Sequence, residues 1–309
     1  MVEKISWRGW KNVFRIWNAT VQVLVVADVG PRIIWYGIKD GDNVLHEVAD
    51  EIGLTGGNEF RLYGGHRLWV SPEVERTYFP DNGPVTVEQE GDRILFTAPV
   101  EDAAPGTNLQ KQLELALEQS GSCLCLTHRV INLDTRTTEL APWAPTMMVA
   151  GGRAILPLPP RAPMDKEHYL SVGPLTLWSF TDLADPRWRL GTEFIQLLQS
   201  TTLAGRFEEQ MTGIFNPAGW GAYFSNSILF VKQAAVISGA IYPDFGCNFE
   251  VFTNREFLEL ETLGPKVVLN PGEQVSHEER WQLFANVPAG EDENWIRTVV
   301  VPRIGCHES

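Results

Sequence analysis

Apolar residues alternate with polar residues along most of this chain, and short turn sequences separate the alternating runs. Gln112–Gln119 places leucine at every second position, and Cys123–Asn132 repeats the pattern after a Ser-Gly-Ser turn. Because successive side chains of a strand point to opposite faces, this pattern predicts strands with one buried face. Helical spacing is scarce, so we expect an all-β fold.

The same criterion predicts further strands. Val85–Thr97 contains two β-prone arms around Glu-Gly-Asp, which is typical of a hairpin. Thr192–Ser200 and Ala289–Arg297 are the only short stretches with helical spacing. Prolines and glycines are spread between the runs, and no linker or repeat is visible, so we expect one antiparallel β domain over residues 1–309. The other predicted strands are Val21–Val26, Arg32–Ile38, Ser227–Ala235, Phe257–Leu263, His277–Phe284 and Ile296–Pro302.

Composition and charge exclude several classes of partner. With 44% hydrophobic and 21% charged residues, the chain is typical of globular proteins. The net charge of −14 repels phosphate backbones and anionic lipid, so we expect neither nucleic acid nor membrane as a partner. No signal sequence or membrane-spanning run is visible, and we expect a cytoplasmic location. The cysteines, which form no Cys-x-x-Cys pair and are expected to be reduced, are Cys123, Cys125, Cys247 and Cys306.

The stretch Arg61–Glu73 carries more site chemistry than a loop normally holds. Its adjacent glycines let the backbone pass close to a ligand, because no Cβ blocks the approach. His66, Arg67, Trp69 and Glu73 add hydrogen-bond donors, a flat apolar face and an acid. These residues predict a small-molecule site, and a sugar is the ligand they suit best.

Landmarks at both ends of the chain carry a family resemblance. One is Leu24–Trp35 followed by Asp42–Leu45, and the other is Phe257–Pro265 followed by Leu269–Glu273. The first resembles the opening strand, Gly-x-x-Ile turn and Asn-x-Leu stretch of galactose mutarotase-like proteins, the superfamily of the aldose 1-epimerases. The second resembles the Leu-Glu-Thr stretch and Leu-x-Pro-Gly turn of the same proteins. The resemblance implies a super-sandwich of large antiparallel sheets, with a sugar in a cleft on one concave face.

Two further stretches, Tyr63–Trp69 with its Gly-Gly-His-Arg-Leu-Trp sequence and Tyr242–Glu250, are similar to an uncharacterised branch of that superfamily. Aldose 1-epimerases open and reclose a pyranose ring with a carboxylate base and an acid, usually histidine. The resemblance implies that Glu261 is the base. Glu259 lies on the same strand face as Glu261 and would raise the pKa of Glu261 by like-charge repulsion. Both residues could equally be solvated on an outer face.

The acid is where the resemblance departs from the family pattern. Glu139–Thr146, which corresponds to the family's histidine motif, contains Trp143 and no histidine. His66 is therefore the candidate acid, because of its glycine neighbours. His128 is the second choice, although a lone histidine on an apolar strand face is more often a core residue.

The remaining candidates are substrate contacts, each with an alternative. Arg67 resembles the substrate-binding arginine of sugar epimerases, but an ion pair with a neighbouring glutamate is an equal alternative. Lys232 would reach the cleft or extend to solvent, and Asp244 and Glu250 would bind hydroxyls or cap turns. The predicted substrate-binding set is Arg67, Trp69, Glu73, His128, Trp143, Lys232, Asp244, Glu250 and Glu259, with Trp220 as a further aromatic platform.

Two hypotheses of function follow. One is an isomerase of the aldose 1-epimerase kind, acting on a sugar or sugar phosphate with Glu261 as base and a non-standard acid. The other is a carbohydrate-binding or sensing protein without turnover. Neither requires a metal or a cofactor, and the expected partner is a small saccharide.

Overall fold

The computed structural model describes residues 1–102, 108–202 and 205–304. Almost all regular structure is antiparallel strand, which confirms the predicted fold class. The strands are β1 Val2–Trp7, β2 Trp10–Trp17, β3 Val21–Val26, β4 Arg32–Ile38, β5 Trp69–Ser71, β6 Thr86–Glu90, β7 Arg93–Thr97, β8 Leu109–Leu117, β9 Leu124–Asn132, β10 Thr138–Met148, β11 Arg153–Pro157, β12 Leu175–Leu177, β13 Trp188–Leu190, β14 Phe194–Leu198, β15 Gln210–Ile214, β16 Trp220–Ser225, β17 Ile228–Ala234, β18 Phe249–Thr253, β19 Leu258–Leu263, β20 Val267–Leu269 and β21 Gln274–Phe284.

The strands form three sheets in two layers. A 10-stranded sheet has the order β13-β14-β11-β16-β17-β21-β9-β8-β7-β6. A 7-stranded sheet runs β12-β15-β18-β19-β10-β20 with β5 also paired to β10, and a 4-stranded sheet runs β1-β2-β3-β4. The main hydrophobic core contains residues of all three sheets, so the 4- and 7-stranded sheets pack together against the 10-stranded sheet.

His66 joins the two smaller sheets, because its backbone pairs with Ile33 of β4 on one side and Thr146 of β10 on the other. The glycines before it make this possible. Gly64 and Gly65 have φ of +98° and +71°, and a Cβ on them would lie 2.2 Å from the carbonyl oxygen of His46 and 2.1 Å from that of Ile33. The expectation that these glycines make room for a ligand is therefore wrong; they make room for the protein's own backbone.

The helical segments are short. A 3₁₀ turn covers Glu75–Tyr78, and near the C-terminus α1 Glu293–Trp295 continues through a π-helical turn, Ile296–Val300, into α2 Val301–Ile304. The strand predicted at Ile296–Pro302 is thus wrong. Asp292 caps this segment by accepting from the backbone N–H of Trp295. No helix in the described ranges is both long enough and apolar enough to span a bilayer.

The helix predicted at Thr192–Ser200 is also wrong, because β14 occupies this stretch. Its side chains are buried on both faces: Phe194 packs with Trp220, whereas Ile195 and Leu197 face the main core. A strand buried on both sides loses the polar alternation that marks a half-exposed strand, and its apolar residues then mimic helical spacing.

Candidate functional site

Glutamates gather on the outer face of the 7-stranded sheet, the face turned away from the 10-stranded sheet. Glu250 of β18 lies directly opposite Glu261 of β19, and Glu259 lies two residues before Glu261 on the same face. Cβ atoms of directly opposed residues are about 4.5–5.5 Å apart, so the two carboxyl groups are neighbours. Gly213 lies beside Glu250 on β15, where a Cβ would crowd the Glu250 side chain at 3.1 Å.

Two more carboxylates approach the same space from loops. Glu73 follows β5, and Asp244 lies in the segment before β18. The charge of Glu73 raises the pKa of Asp244, Glu250, Glu259 and Glu261 alike, which shows that all of them surround one region. We call Glu73, Asp244, Glu250, Glu259 and Glu261 the carboxylate cluster.

Burial and mutual repulsion disfavour ionisation within the carboxylate cluster. Burial is the main reason that the pKa values of Glu250 and Glu261 lie well above 4.5, and each is raised further by a neighbouring carboxylate. Burial likewise raises the pKa of Glu259 to about 7, although Arg67 opposes the shift. A pKa of about 7 lets Glu259 hold or release a proton near neutral pH, and the pKa values of Glu250 and Glu261 are shifted in the same direction.

Glu261 and Glu250 differ in their hydrogen bonds. The indole Nε1–H of Trp143 donates to Oε2 of Glu261, and this bond favours the ionised form of that carboxylate. Oε1 of Glu261 and Oε1 of Glu250 are buried and have no hydrogen-bond partner. Because the two side chains are 0% and 1% exposed, respectively, neighbouring groups must move before a ligand can contact them.

Aromatic rings form one wall beside the carboxylate cluster. Trp69 and Trp143 oppose each other on β5 and β10, with ring centroids 5.0 Å apart. Tyr78 lies 5.8 Å from Trp69, and its hydroxyl donates to Glu73. Phe60 completes the aromatic wall, which we define as Phe60, Trp69, Tyr78 and Trp143. Trp220 lies elsewhere, packed on Phe194 in a separate core, so its predicted role as a platform is wrong.

Arg67 neither pairs with a glutamate nor points a free guanidinium at the carboxylate cluster. Its Nη2 donates to the backbone carbonyls of Arg61 and Leu62, and its guanidinium lies over the rings of Phe60 and Trp69 at 5.1 Å and 4.9 Å. Burial lowers its pKa to about 9. Arg67 therefore braces the loop behind the aromatic wall, and its charge lowers the pKa of Glu259.

His66 does not face Glu261, contrary to expectation. Its Nδ1 hydrogen-bonds to Oγ1 of Thr146 at 2.9 Å, and Thr146 lies opposite Leu260 on the inner face of the sheet, whereas Glu261 lies on the outer face. The sheet thus separates His66 from the carboxylate cluster. Backbone pairing of residue 66 between two strands fixes this orientation, which the Gly-Gly-His motif alone does not reveal.

His128 and Lys232 occupy the same inner region and were also predicted as substrate contacts. Both are buried, and they belong to a polar network between the two layers, which we call the inter-sheet network. It shares neither a face nor a hydrogen bond with the carboxylate cluster in the described residues, so the geometry does not place either residue in contact with a ligand there. The inter-sheet network consists of His66, His128, Thr146, Lys232, Thr262, His277 and Glu279.

Hydrogen-bond directions within this network can be assigned from its fixed donors and acceptors. Nδ1–H of His128 donates to the carbonyl oxygen of His277 (3.0 Å), so Nε2 of His128 accepts from Nε2–H of His66 (2.7 Å). Nδ1 of His66 then accepts from the hydroxyl of Thr146. Burial lowers the pKa of His66 well below 6.5 and that of His128 to about 4, in agreement with two neutral rings.

Lys232 and Glu279 form a buried ion pair, with 3.0 Å between Nζ and Oε1. Nζ also donates to Oγ1 of Thr146 at 2.8 Å and to the carbonyl oxygen of Ala144 at 2.6 Å. Burial alone would raise the pKa of Glu279, but Lys232 and hydrogen bonding hold it well below its usual value. Lys232 was predicted either to extend to solvent or to reach the cleft. It does neither, because it is buried in this pair.

His66, His128 and Glu279 bring potential ligand atoms within 4.8 Å of one another. The 2.7 Å contact between the two Nε2 atoms is a hydrogen bond, which occupies the lone pair that a metal would need. Ligands of one tetrahedral zinc, each at about 2.0–2.1 Å from the metal, lie farther apart than this. The network is therefore a satisfied part of the core.

Several residues that the structure places around the site are not among those predicted from the sequence. Phe60 joins the aromatic wall from a loop and Tyr78 from the 3₁₀ turn, and strand alternation provides no signal for either. Thr146 and Thr262 organise the inter-sheet network. For Thr262 a signal existed: it follows Glu261 on a strand, so it must point to the opposite face.

No family model and no curated protein matches the chain. Several solved structures are similar to it. A galactose mutarotase-like protein from Lactobacillus casei has 11% identity and a TM-score of 0.55, with 88% of this chain and 100% of that chain covered. A galactose mutarotase related enzyme from Lactobacillus acidophilus has 12% identity and a TM-score of 0.54, with 91% and 100% covered.

A TPR-domain containing protein from Parabacteroides distasonis is also similar, with 14% identity and a TM-score of 0.56 over 90% of this chain. The chain spans 48% of that longer protein. At these identities the likeness concerns the fold. The protein has the galactose mutarotase-like fold, as the resemblance in its sequence implied.

Proposed function

We propose that the protein binds a saccharide at the carboxylate cluster and interconverts its anomers. The observation that carries this proposal is the opposed pair Glu250 and Glu261, because only Glu261 receives an N–H donor that favours its charge. This N–H bond favours ionisation of Glu261 over Glu250, so we assign the base to Glu261 and the acid to Glu250. Supporting observations are the galactose mutarotase-like fold and the adjacent aromatic wall, whose rings suit the C–H faces of a sugar.

The ring-opening step needs one base and one acid. The carboxylate of Glu261 takes the proton of the anomeric hydroxyl, and the electron pair of that O–H bond forms the C1 carbonyl. The C1–O5 bond breaks, and O5 receives the proton of the Glu250 carboxyl group. Rotation about C1–C2 and reversal of both proton transfers give the other anomer. Glu250 thus takes the place that a histidine fills in the aldose 1-epimerases.

Exchange-transfer NMR across a panel of aldoses and aldose phosphates tests the proposal. We expect faster anomer exchange for at least one sugar, and we expect Glu261→Gln to reduce that rate by about 10²–10⁴-fold. Glu278→Gln is the matched control, because Glu278 is an exposed glutamate on the 10-stranded sheet. Unchanged exchange for every sugar, or full activity of Glu261→Gln, contradicts the mechanism.

The second candidate is a saccharide-binding protein without turnover. It is favoured by the position of His66, since the expected imidazole acid lies behind the sheet in the inter-sheet network. The two candidates differ in one result. Calorimetric binding of a sugar without acceleration of anomer exchange selects the binding protein and excludes the enzyme.

A further inference from the structure

Resting on the saccharide site proposed above, we propose that its ligand is an amino sugar, whose protonated primary amine is bound by the carboxylates around Glu250 and Glu261. The proposal goes beyond the fold and beyond anomer exchange, because it names the chemical group that the site selects. It rests on the unpartnered oxygens, the charge balance and the spacing of the carboxylate cluster.

The first observation is a shortage of hydrogen-bond donors. Glu250 and Glu261 each hold a buried carboxyl oxygen without a partner, and their side chains are almost wholly inaccessible. A buried acceptor without a donor is destabilising. An ammonium group carries three N–H donors and no acceptor, so it complements such oxygens better than a hydroxyl group, which brings an acceptor with it.

The second observation is the balance of charge. Among the described residues, no ion pair includes Glu73, Asp244, Glu250, Glu259 or Glu261. The nearby cations are engaged elsewhere: Arg67 donates to backbone carbonyls, Lys266 pairs with Glu139 at 2.8 Å, and Lys232 pairs with Glu279 behind the sheet. No cation of the described residues is paired with the cluster, so a cationic ligand can supply the charge that lets these carboxyl groups ionise.

The third observation distinguishes an organic cation from a metal ion. In the parts of the chain that the structure describes, no three carboxylates of the cluster bring their oxygen atoms within 4.8 Å of one another. The carboxylates of the cluster are therefore too dispersed to share one small ion at bonding distance. A saccharide with a charged amine spans that distance, because its amine, its anomeric hydroxyl and its ring oxygen can each lie at a different carboxyl group of the cluster.

Calorimetric titration at pH 6.5 with matched ligands tests the inference. The ligands are glucosamine, galactosamine and mannosamine, the parent hexoses, and N-acetylglucosamine, in which acetylation removes the charge. Because a charge-assisted hydrogen bond is roughly twice as strong as a neutral one, we expect at least one amino sugar to bind about tenfold or more tightly than its parent hexose. N-acetylglucosamine is expected to lose that advantage.

Glu250→Gln tests which residues provide the selectivity. The substitution preserves shape and replaces a carboxyl group that can ionise against an ammonium group by a neutral amide, so the preference for the amine over the parent hexose should fall about tenfold. Glu278→Gln, which removes an exposed charge on the other layer, should retain the full preference. Glu259→Gln provides a second test if thermal unfolding shows that Glu250→Gln does not fold.

The outcomes separate this inference from the proposed function. Equal binding of hexoses and amino sugars, or equal binding of the N-acetylated sugar, overturns the inference while the saccharide site stands. A preference that survives both Glu250→Gln and Glu259→Gln overturns the assignment to these carboxylates. Absence of binding by every sugar overturns the inference and the proposed function together.

Discussion

The ionisation of Glu261 depends on one hydrogen bond, from the indole N–H of Trp143. Burial raises the pKa of Glu261 first, and the charge of Glu259 raises it further, whereas this N–H lowers it. The base is active only when ionised, so Trp143 adjusts the pH range in which Glu261 accepts a proton. Trp143 also lines the aromatic wall, and a substitution must separate these two roles.

Trp143→Phe removes the donor and retains an aromatic ring. A hydrogen bond to a charged group contributes about 1.5–3 kcal/mol, so the pKa of Glu261 should rise by about 1–2 units. The ascending limb of the pH–rate profile for anomer exchange is then expected to move upward by the same amount, with activity recovered at high pH. Trp69→Phe is the control, because Trp69 lies in the wall and makes no hydrogen bond to Glu261. A uniform loss of rate at every pH would assign Trp143 to sugar packing instead.

Strand alternation could predict the cluster residues but not their environment. Glu259 and Glu261 share a face because they lie two apart on a strand, and Glu250 faces Glu261 only through a cross-strand register that no local pattern specifies. Likewise, His66 was singled out by its glycines, but its orientation follows from pairing with β4 and β10. Residues that depend on long-range pairing are those that the sequence analysis misplaced.

Among the elements, β10 and β19 hold the site, and Lys232 of β17 ties them to the opposite layer. Its Nζ donates to the carbonyl oxygens of Ala144 on β10 and Leu260 on β19, at 2.6 Å and 3.3 Å. Leu260 directly precedes Glu261. The ion pair with Glu279 thus positions the strands that carry the carboxylate cluster from the inner side of the sheet.

Lys232→Met breaks this pair and leaves Glu279 buried without its counter-charge. Removing one partner of a buried ion pair typically costs about 3–5 kcal/mol, and we expect a loss of that size in the free energy of unfolding, measured with urea. Combining it with Glu279→Gln should cost less than the sum of the single changes, because the double variant no longer buries a lone charge. Arg93→Met, which breaks an exposed pair with Glu114, should have a much smaller effect. Additive losses would show that Lys232 and Glu279 are not coupled.

Element prediction succeeded where turns, alternation or β-branched residues mark a strand. The hairpin β6–β7 was predicted nearly to the residue from its turn and its alternation. β3 and β4 are buried on both faces, but valine and isoleucine dominate them and a Gly-Pro turn separates them. β14 is also buried on both faces, and its Phe-Ile-Gln-Leu-Leu sequence was mistaken for a helix. The C-terminal segment was mistaken for a strand because β-branched residues dominate it, whereas the i, i+4 contact of Ile296 and Val300 with a core requires a helix.

Across the whole molecule, stability responds to pH through two buried regions of opposite sign. Burial is the main reason that the pKa of His128 is lowered to about 4. Between about pH 4 and pH 6.5 the unfolded chain therefore binds a proton that the folded protein does not, and stability rises with pH over this interval. Glu250, Glu259 and Glu261 act in the opposite direction. Their raised pKa values mean that the folded protein holds protons that the unfolded chain releases, and stability falls as pH rises.

Glu259→Gln isolates the second contribution, because burial raises the pKa of Glu259 from 4.5 to about 7. Below pH 4.5 the residue is protonated in both states. Between pH 4.5 and pH 7 the folded protein alone keeps the proton, and each unit corresponds to about 1.4 kcal/mol. Relative to the unsubstituted protein, the variant should therefore gain up to about 3 kcal/mol of unfolding free energy over this interval and no more above it. Urea titrations at pH 5, 6, 7 and 8 measure the difference, with Glu278→Gln as the control. A difference that is flat with pH would mean that Glu259 is solvated like an ordinary surface carboxylate, and the case for a dry anionic site around Glu261 would fail with it.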